Sequence, residues 1–147
     1  MCGIVCLWNT GDAALARRMV NKLSHRGPDE SDVIVGRNVP AVLAHTRLSI
    51  IGPEDGLQPI YQDEDVLVAN GEIYNHEDLR AILGEAAFET ASDSEAILHL
   101  YRSEDLRWIA RLDGMFAFVL VTRDRIVAAR DPLGIKPLYK ATLDGGL

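Results

Sequence analysis

Hydrophobic residues fall at both parities along Cys2–Trp8 and Met115–Val121, a pattern that suits strands covered on both faces. In the first stretch Cys2, Ile4, Cys6 and Trp8 share one face, and Gly3, Val5 and Leu7 the other. After Thr10-Gly11-Asp12, a turn and helix-start signal, Leu15, Met19, Val20 and Leu23 recur at helical spacing. His25-Arg26-Gly27-Pro28-Asp29 ends that helix in a loop rich in turn formers. Val33–Gly36 and Ala41–Leu48 read as antiparallel strands joined across Arg37–Pro40. Ile51–Gln62, with Gly52-Pro53, Gly56 and Pro59, reads as a loop, and Val66–Ala69 as an apolar strand ending at Asn70-Gly71.

Asn75–Asp78 has the form of a helix cap with acids in the first turn, followed by Leu79, Ile82 and Leu83 on one face. Ser92-Asp93-Ser94-Glu95 has capping-box spacing and predicts a helix that buries Ile97, Leu98 and Tyr101. Leu106, Ile109 and Leu112 mark a short helix stopped by Gly114. The polar turn Thr122-Arg123-Asp124 returns Met115–Val121 into Ile126–Ala129 as a hairpin. Leu138–Lys140 reads as a further strand, and Asp144–Leu147 as a turn whose partner strand is missing. Antiparallel strands apolar on both faces, interleaved with amphipathic helices, predict an α+β fold. Its form is a four-layer α/β/β/α sandwich of two antiparallel sheets with helices outside, one domain over residues 1–147.

Composition narrows the partners. At 147 residues and 48% hydrophobic the chain supports one real core, and a net charge of −7 without Lys/Arg clusters argues against nucleic-acid or acidic-membrane partners. Small polar or protein partners fit better. No apolar run nears the roughly 20 residues of a membrane span, and Asp12 follows Cys2–Trp8 too closely for a signal peptide, so the cytoplasm is expected. On a shared strand at about 3.3 Å per residue, Cys2 and Cys6 stand about 13 Å apart, past the roughly 7 Å limit for bridging. Two free thiols in a reducing compartment follow. His25, His45, His76 and His99 are scattered, and no metal site is expected.

The candidate chemistry begins at Cys2. Removal of Met1 would give Cys2 a free α-amine beside its thiol, and an amine that titrates near about 7.7–8 can take the thiol proton at neutral pH. The alternative is a buried or incidental thiol. Arg47, at a strand end, suits a carboxylate, although taken alone a structural ion pair is the commoner explanation. Asn70 and Gly71 can supply a side-chain amide and a freely approached N–H to an oxyanion, or form an ordinary Asn-Gly turn. Glu72 and Asp93 could receive an ammonium; Asp93 could instead complement its helix terminus. Arg26–Asp29 offers a rigid turn that positions a neighbour.

Taken together, Met1–Ile4, His25–Asp29 (HRGPD), Ala44–Ile51 (AHTRLSII), Asn70–His76 (NGEIYNH), Ser92–Glu95 (SDSE), Asp113–Phe118 (DGMFAF) and Arg130–Tyr139 (RDPLGIKPLY) run in one order from end to end. They resemble the N-terminal-nucleophile (class II) glutamine amidotransferase domain, most nearly that of glutamine-hydrolysing asparagine synthetases, with Pro28 typical of that branch. The resemblance implies an Ntn-hydrolase fold and L-glutamine as substrate. Cys2 is then the nucleophile and Asn70 and Gly71 the oxyanion hole. Arg47 with Leu48, Ser49, Ile50 and Ile51 would hold the α-carboxylate, and Glu72 and Asp93 the α-ammonium. It implies no cofactor in this domain. ATP and Mg belong to a synthetase domain, absent here along with the last strands, that receives ammonia in cis or trans to make asparagine. A different ammonia acceptor, an inactive glutamine-binding or interface module, or a hydrolase of another amide stay open, as does a homodimer of the full protein.

Overall fold

The computed structural model describes residues 2–36, 40–48, 57–103 and 106–142. Among them, β1 (Gly3–Trp8), β2 (Glu30–Val35) and β3 (Ala41–Arg47) pair antiparallel in the order β1-β3-β2. A second antiparallel sheet joins β4 (Ile60–Gln62), β5 (Asp65–Ile73), β6 (Gly114–Val121) and β7 (Ile126–Arg130) in sequence order. Three helices cover them: α1 (Ala13–Asn21), α2 (His76–Leu83) and α3 (Glu95–Ser103).

The alternation of each strand sorts its side chains into three cores. Ala41 and Leu43 meet Val66, Val68, Val119 and Val121 between the sheets, with Ile4, Cys6 and Trp8 packed alongside. Val5, Leu7, Val42 and Ala44 face outward onto Ala16 and Val20 of α1. On the far side Leu67, Ala69, Phe116, Phe118 and Leu120 carry Leu79, Ile97, Leu98, Leu100 and Trp108. The four-layer sandwich follows, because every inner strand buries one face on a sheet and the other on a helix. The α1 start is also as expected: Asp12 caps it, accepting from the Leu15 N–H at 2.8 Å.

Several local expectations differ. Ile60–Gln62, read as loop, is β4, which pairs with Asp65–Leu67 around the tight turn at Asp63, where φ is 54°; three residues are too few to carry a period. The strand expected to end at Asn70-Gly71 continues to Ile73. β2 begins at Glu30, in a polar stretch without strand signal. Asn75 does not cap α2 with its side chain, which instead donates to the Arg111 carbonyl and accepts from the Asp113 N–H. Gly114 opens β6 rather than closing a helix, and residues 106–111 form a 3-10 segment. Leu138–Lys140 is not a strand. Both cysteines are free, as expected. No helix among the described residues is long and apolar enough to cross a membrane.

His45 lies on the inner face of β3, 2% exposed, with Nε2 unpartnered among the described residues. Burial, aided by the charge of Arg47 and opposed by a bond to the Ala69 backbone, lowers its pKa from 6.5 to about 4. The neutral ring is therefore the folded form. Its contribution to stability is complete above pH 6.5 and is lost as pH falls towards 4. That loss is at most about 3 kcal/mol. Urea unfolding at about pH 7 and about pH 5 should show His45→Gln less sensitive to acid than the parent chain; equal sensitivity would contradict this.

Candidate active site

The ladder pairs Gly3 with Thr46 and Ile4 with His45, so the residue facing Cys2 in that register is Arg47. Three hydrogen bonds hold the backbone there. The Cys2 N–H donates to Asn70 Oδ1 at 3.0 Å, the Cys2 carbonyl accepts from Arg26 Nε at 3.3 Å, and the Gly3 N–H donates to Thr46 Oγ1 at 3.0 Å. Thr46 Oγ1 in turn donates a hydrogen bond to the Leu23 carbonyl at 3.4 Å. A side chain at residue 3 is excluded, since its Cβ would stand 2.7 Å from Leu23 Cβ and 2.8 Å from Thr46 Oγ1. Cys2 is partly exposed. Cys6, four residues on, is likewise partly buried, packed against the core between the sheets, and desolvation there pushes its thiol pKa up to about 11.

Asn70 lies on the second sheet, so its bond to Cys2 crosses between the two layers. Its strand also prepares a backbone donor. The Ala69 N–H leaves the β5–β6 ladder to meet Gln58 Oε1 at 2.7 Å, and the Ile73 N–H meets Asp93 Oδ2 at 2.6 Å. Main-chain groups two residues apart point the same way, so the Gly71 N–H projects from that free edge between Gln58 and Asp93. Gly71 adopts φ +154°, and a Cβ there would collide with the Met115 carbonyl and stand 2.6 Å from Phe116 Cα. The Asn-Gly pair is thus a strand segment with one aimed N–H, not a turn.

Arg47 is 4% exposed and donates through Nη1 to Glu30 Oε2 at 3.1 Å. The HRGPD loop packs on its backbone: a Cβ on Gly27 would lie 2.6 Å from both the Thr46 and Arg47 carbonyl carbons, and the Asp29 N–H donates to the Arg47 carbonyl at 3.1 Å. One loop therefore braces Cys2 through Arg26 and Arg47 through Gly27 and Asp29. Asp93, 7% exposed, reaches the end of β5, whereas the expected capping box is absent because Glu95 turns to the residues before it. Glu72 is half-buried beside Gly71, and Leu48 follows β3 directly. Met1, Ser49, Ile50 and Ile51 lie outside the described residues. The bond between Cys2 and Asn70, the Ile73–Asp93 bond and the β3 register link the described candidates. Glu30, Thr46 and Gln58 join them without any sequence signal.

A cavity of about 430 Å³ opens nearby, lined by Glu30, Asp32, His45, Gln58 and Tyr61 among others. It adjoins this arrangement through Glu30 and Gln58; Cys2, Asn70, Gly71 and Asp93 do not line it. Among the described residues no group of three or more His, Cys, Asp or Glu could hold a metal ion.

A family model described as a glutamine amidotransferase domain matches residues 1–147. The chain belongs to this family. The amidotransferase domain is 46% identical to a rice protein (Oryza sativa subsp. japonica) named glutamine-hydrolyzing asparagine synthetase 2, over 100% of the chain and 26% of the relative. It is 45% identical to a Zea mays asparagine synthetase of the same description, again over 100% of the chain and 26% of the relative. It thus spans about a quarter of the length of these curated relatives. In fold it resembles the glutamine phosphoribosylpyrophosphate amidotransferase of B. subtilis, with a TM-score of 0.75 and 20% identity over 91% of this chain and 38% of that one. The likeness at that identity is of fold alone, and it is the two-sheet Ntn-hydrolase arrangement.

The backbone crowding at Gly71 has a measurable cost. Gly71→Ala in the amidotransferase domain should lower stability by about 3 kcal/mol in denaturant melts, from overpacking and strain together. Gly11→Ala, where a Cβ meets nothing within 4 Å, should be close to neutral. Equal effects would contradict the packing described.

Proposed function

We propose that this domain, once Met1 is removed, hydrolyses the side-chain amide of L-glutamine with Cys2 as nucleophile, and that in a longer protein the ammonia passes to an ATP-dependent asparagine-synthetase-type domain. The observation that carries the reading is the 3.0 Å bond from the Cys2 nitrogen to Asn70 Oδ1. That nitrogen becomes the α-amine once Met1 is gone; the same bond would then spend the oxygen end of the amide on the amine, orient it, and leave Asn70 Nδ2 to donate elsewhere. An amine fixed in this way can turn its lone pair to the thiol of the same residue.

In the reaction, the thiol proton moves to the α-amine as Cys2 Sγ bonds to the amide carbon. Asn70 Nδ2 and the Gly71 N–H stabilise the charge that develops on oxygen, each donor contributing about 3–4 kcal/mol. The ammonium returns the proton to the departing nitrogen, the C–N bond breaks, and ammonia leaves behind a γ-glutamyl thioester. Water, deprotonated by the same amine, attacks that carbon; the C–S bond breaks, the thiol recovers its proton and glutamate departs.

Substrate recognition uses the two charged ends of the amino acid. Arg47, with the segment Leu48, Ser49, Ile50 and Ile51, takes the α-carboxylate, its guanidinium oriented by Glu30. Asp93 and Glu72 take the α-ammonium. No cofactor enters these steps; ATP and Mg serve the synthetase portion that the relatives' names imply.

Mature protein should release glutamate from glutamine, and Cys2→Ala should abolish that release; unchanged release in the variant would end this reading. Arg47→Ala should raise KM with little change in kcat, because it removes a contact shared by ground and transition states. A large loss of turnover at saturating glutamine would contradict a binding role.

A further inference from the structure

The loop that delivers Asp93 to β5 is gripped from two sides by buried groups of opposite charge, neither of which the reaction above employs. Arg80, on the buried face of α2, donates through Nη2 to the carbonyls of Thr90 at 2.6 Å and Ser92 at 3.0 Å, and its guanidinium carbon lies 4.2 Å over the Phe88 ring. From the other side Glu95 accepts from the N–H groups of Glu89 and Thr90, both at 2.8 Å, and from Thr90 Oγ1 at 2.6 Å. Thr90 Oγ1 in turn accepts from the Ser92 N–H at 3.1 Å. The two charges themselves lie 3.9 Å apart.

The carboxylate is braced as well. His99 stands between Glu95 Oε1 at 3.3 Å and Gln62 at 3.1 Å, so with Gln62 donating to Nδ1 the neutral ring donates through Nε2 to Glu95. Burial works against ionisation of Glu95, and the donors from Thr90, Glu89 and His99 outweigh it, keeping its pKa below the ordinary value. Glu95 has the spacing to cap its own helix at Ser92, yet both its oxygens go to residues 89, 90 and 99. Main-chain polar groups of residues 89, 90 and 92 are thereby occupied immediately before Asp93. Asp93 Oδ2 is spent on the Ile73 N–H, and Oδ1 has no partner among the described residues.

We infer that Arg80 and Glu95 form a clamp that positions Asp93 for the substrate's α-ammonium, so that this remote pair sets the selectivity for γ-amides bearing an α-amino group. The inference rests on the glutamine reading. Neither residue touches substrate; both are positioning residues. A displaced carboxylate weakens recognition of the ammonium and leaves the amide chemistry at Cys2 intact, whereas a merely structural role would depress all substrates alike.

The test compares L-glutamine with glutaramate, the same γ-amide without the amine, in full-length mature protein. The parent should prefer glutamine. In Glu95→Gln and in Thr90→Val, kcat/KM for glutamine should fall about ten- to a hundredfold, mainly through KM, with glutaramate little changed. Asp93→Asn should erase the same preference. Thr90→Val removes two hydrogen bonds of a part-buried side chain and carries the comparison should Glu95→Gln fail to fold. A parent that prefers glutamine beside variants that keep the preference, or that lose both substrates equally, overturns the clamp alone. A parent that does not hydrolyse glutamine overturns the glutamine reading and the clamp with it.

Discussion

The hydrogen bond from the Cys2 nitrogen to Asn70 Oδ1 joins two sheets that share no ladder, and the candidate chemistry depends on it. Such a bond contributes only about 1 kcal/mol net, so it cannot hold the sheets at the separation it needs. The inter-sheet core does that. Leu43 and Ala41 from one layer and Val66, Val68, Val119 and Val121 from the other fill the space between, and stacked sheets settle about 10 Å apart. Cys2 and Asn70 continue the inward-facing rows of β1 and β5 past the last apolar pair. The position where hydrophobic side chains give way to polar ones is therefore where Cys2, the proposed nucleophile, meets the Asn70 side chain.

Around that point the chain uses backbone in place of side chains. Gly3, Gly27 and Gly71 each stand where a Cβ would strike a neighbouring strand or loop, and each brings main-chain groups against Cys2, Arg47 or the free edge of β5. Close approach of this kind fixes geometry without long side chains whose freedom would have to be frozen. The free edge of β5 is unusual for the same reason. Gln58 and Asp93 satisfy the N–H groups on either side of Gly71, so the edge is closed to another strand while one donor remains directed outward.

The sandwich was legible because β1 and β6 are apolar at both parities, as a doubly covered strand requires. β4 was not, having three residues, and β5 was cut short because Asn70-Gly71 has the composition of a turn. Burial of Asn70 beside Cys2 overrode that local preference. Cys2, Arg47 and Asn70-Gly71 were recognisable as residue types with suitable chemistry, but a contact across 68 positions has no local signature. Thr46 and Glu30 were invisible, since register alone brings them to the site. The capping box at Ser92–Glu95 failed for an instructive reason: Glu95 gains more partners in the loop before its helix than at the cap itself.

On the proposed reading a liberated Cys2, and not Cys6, is the reactive thiol, and bound glutamine shields it. Intact-mass measurement and peptide mapping after exposure to a diazoketone analogue of glutamine test this directly. A single adduct at Cys2, confined to molecules lacking Met1 and suppressed by excess glutamine, is the expected result. Equal labelling of molecules that retain Met1, or an adduct mapped to Cys6, would contradict it.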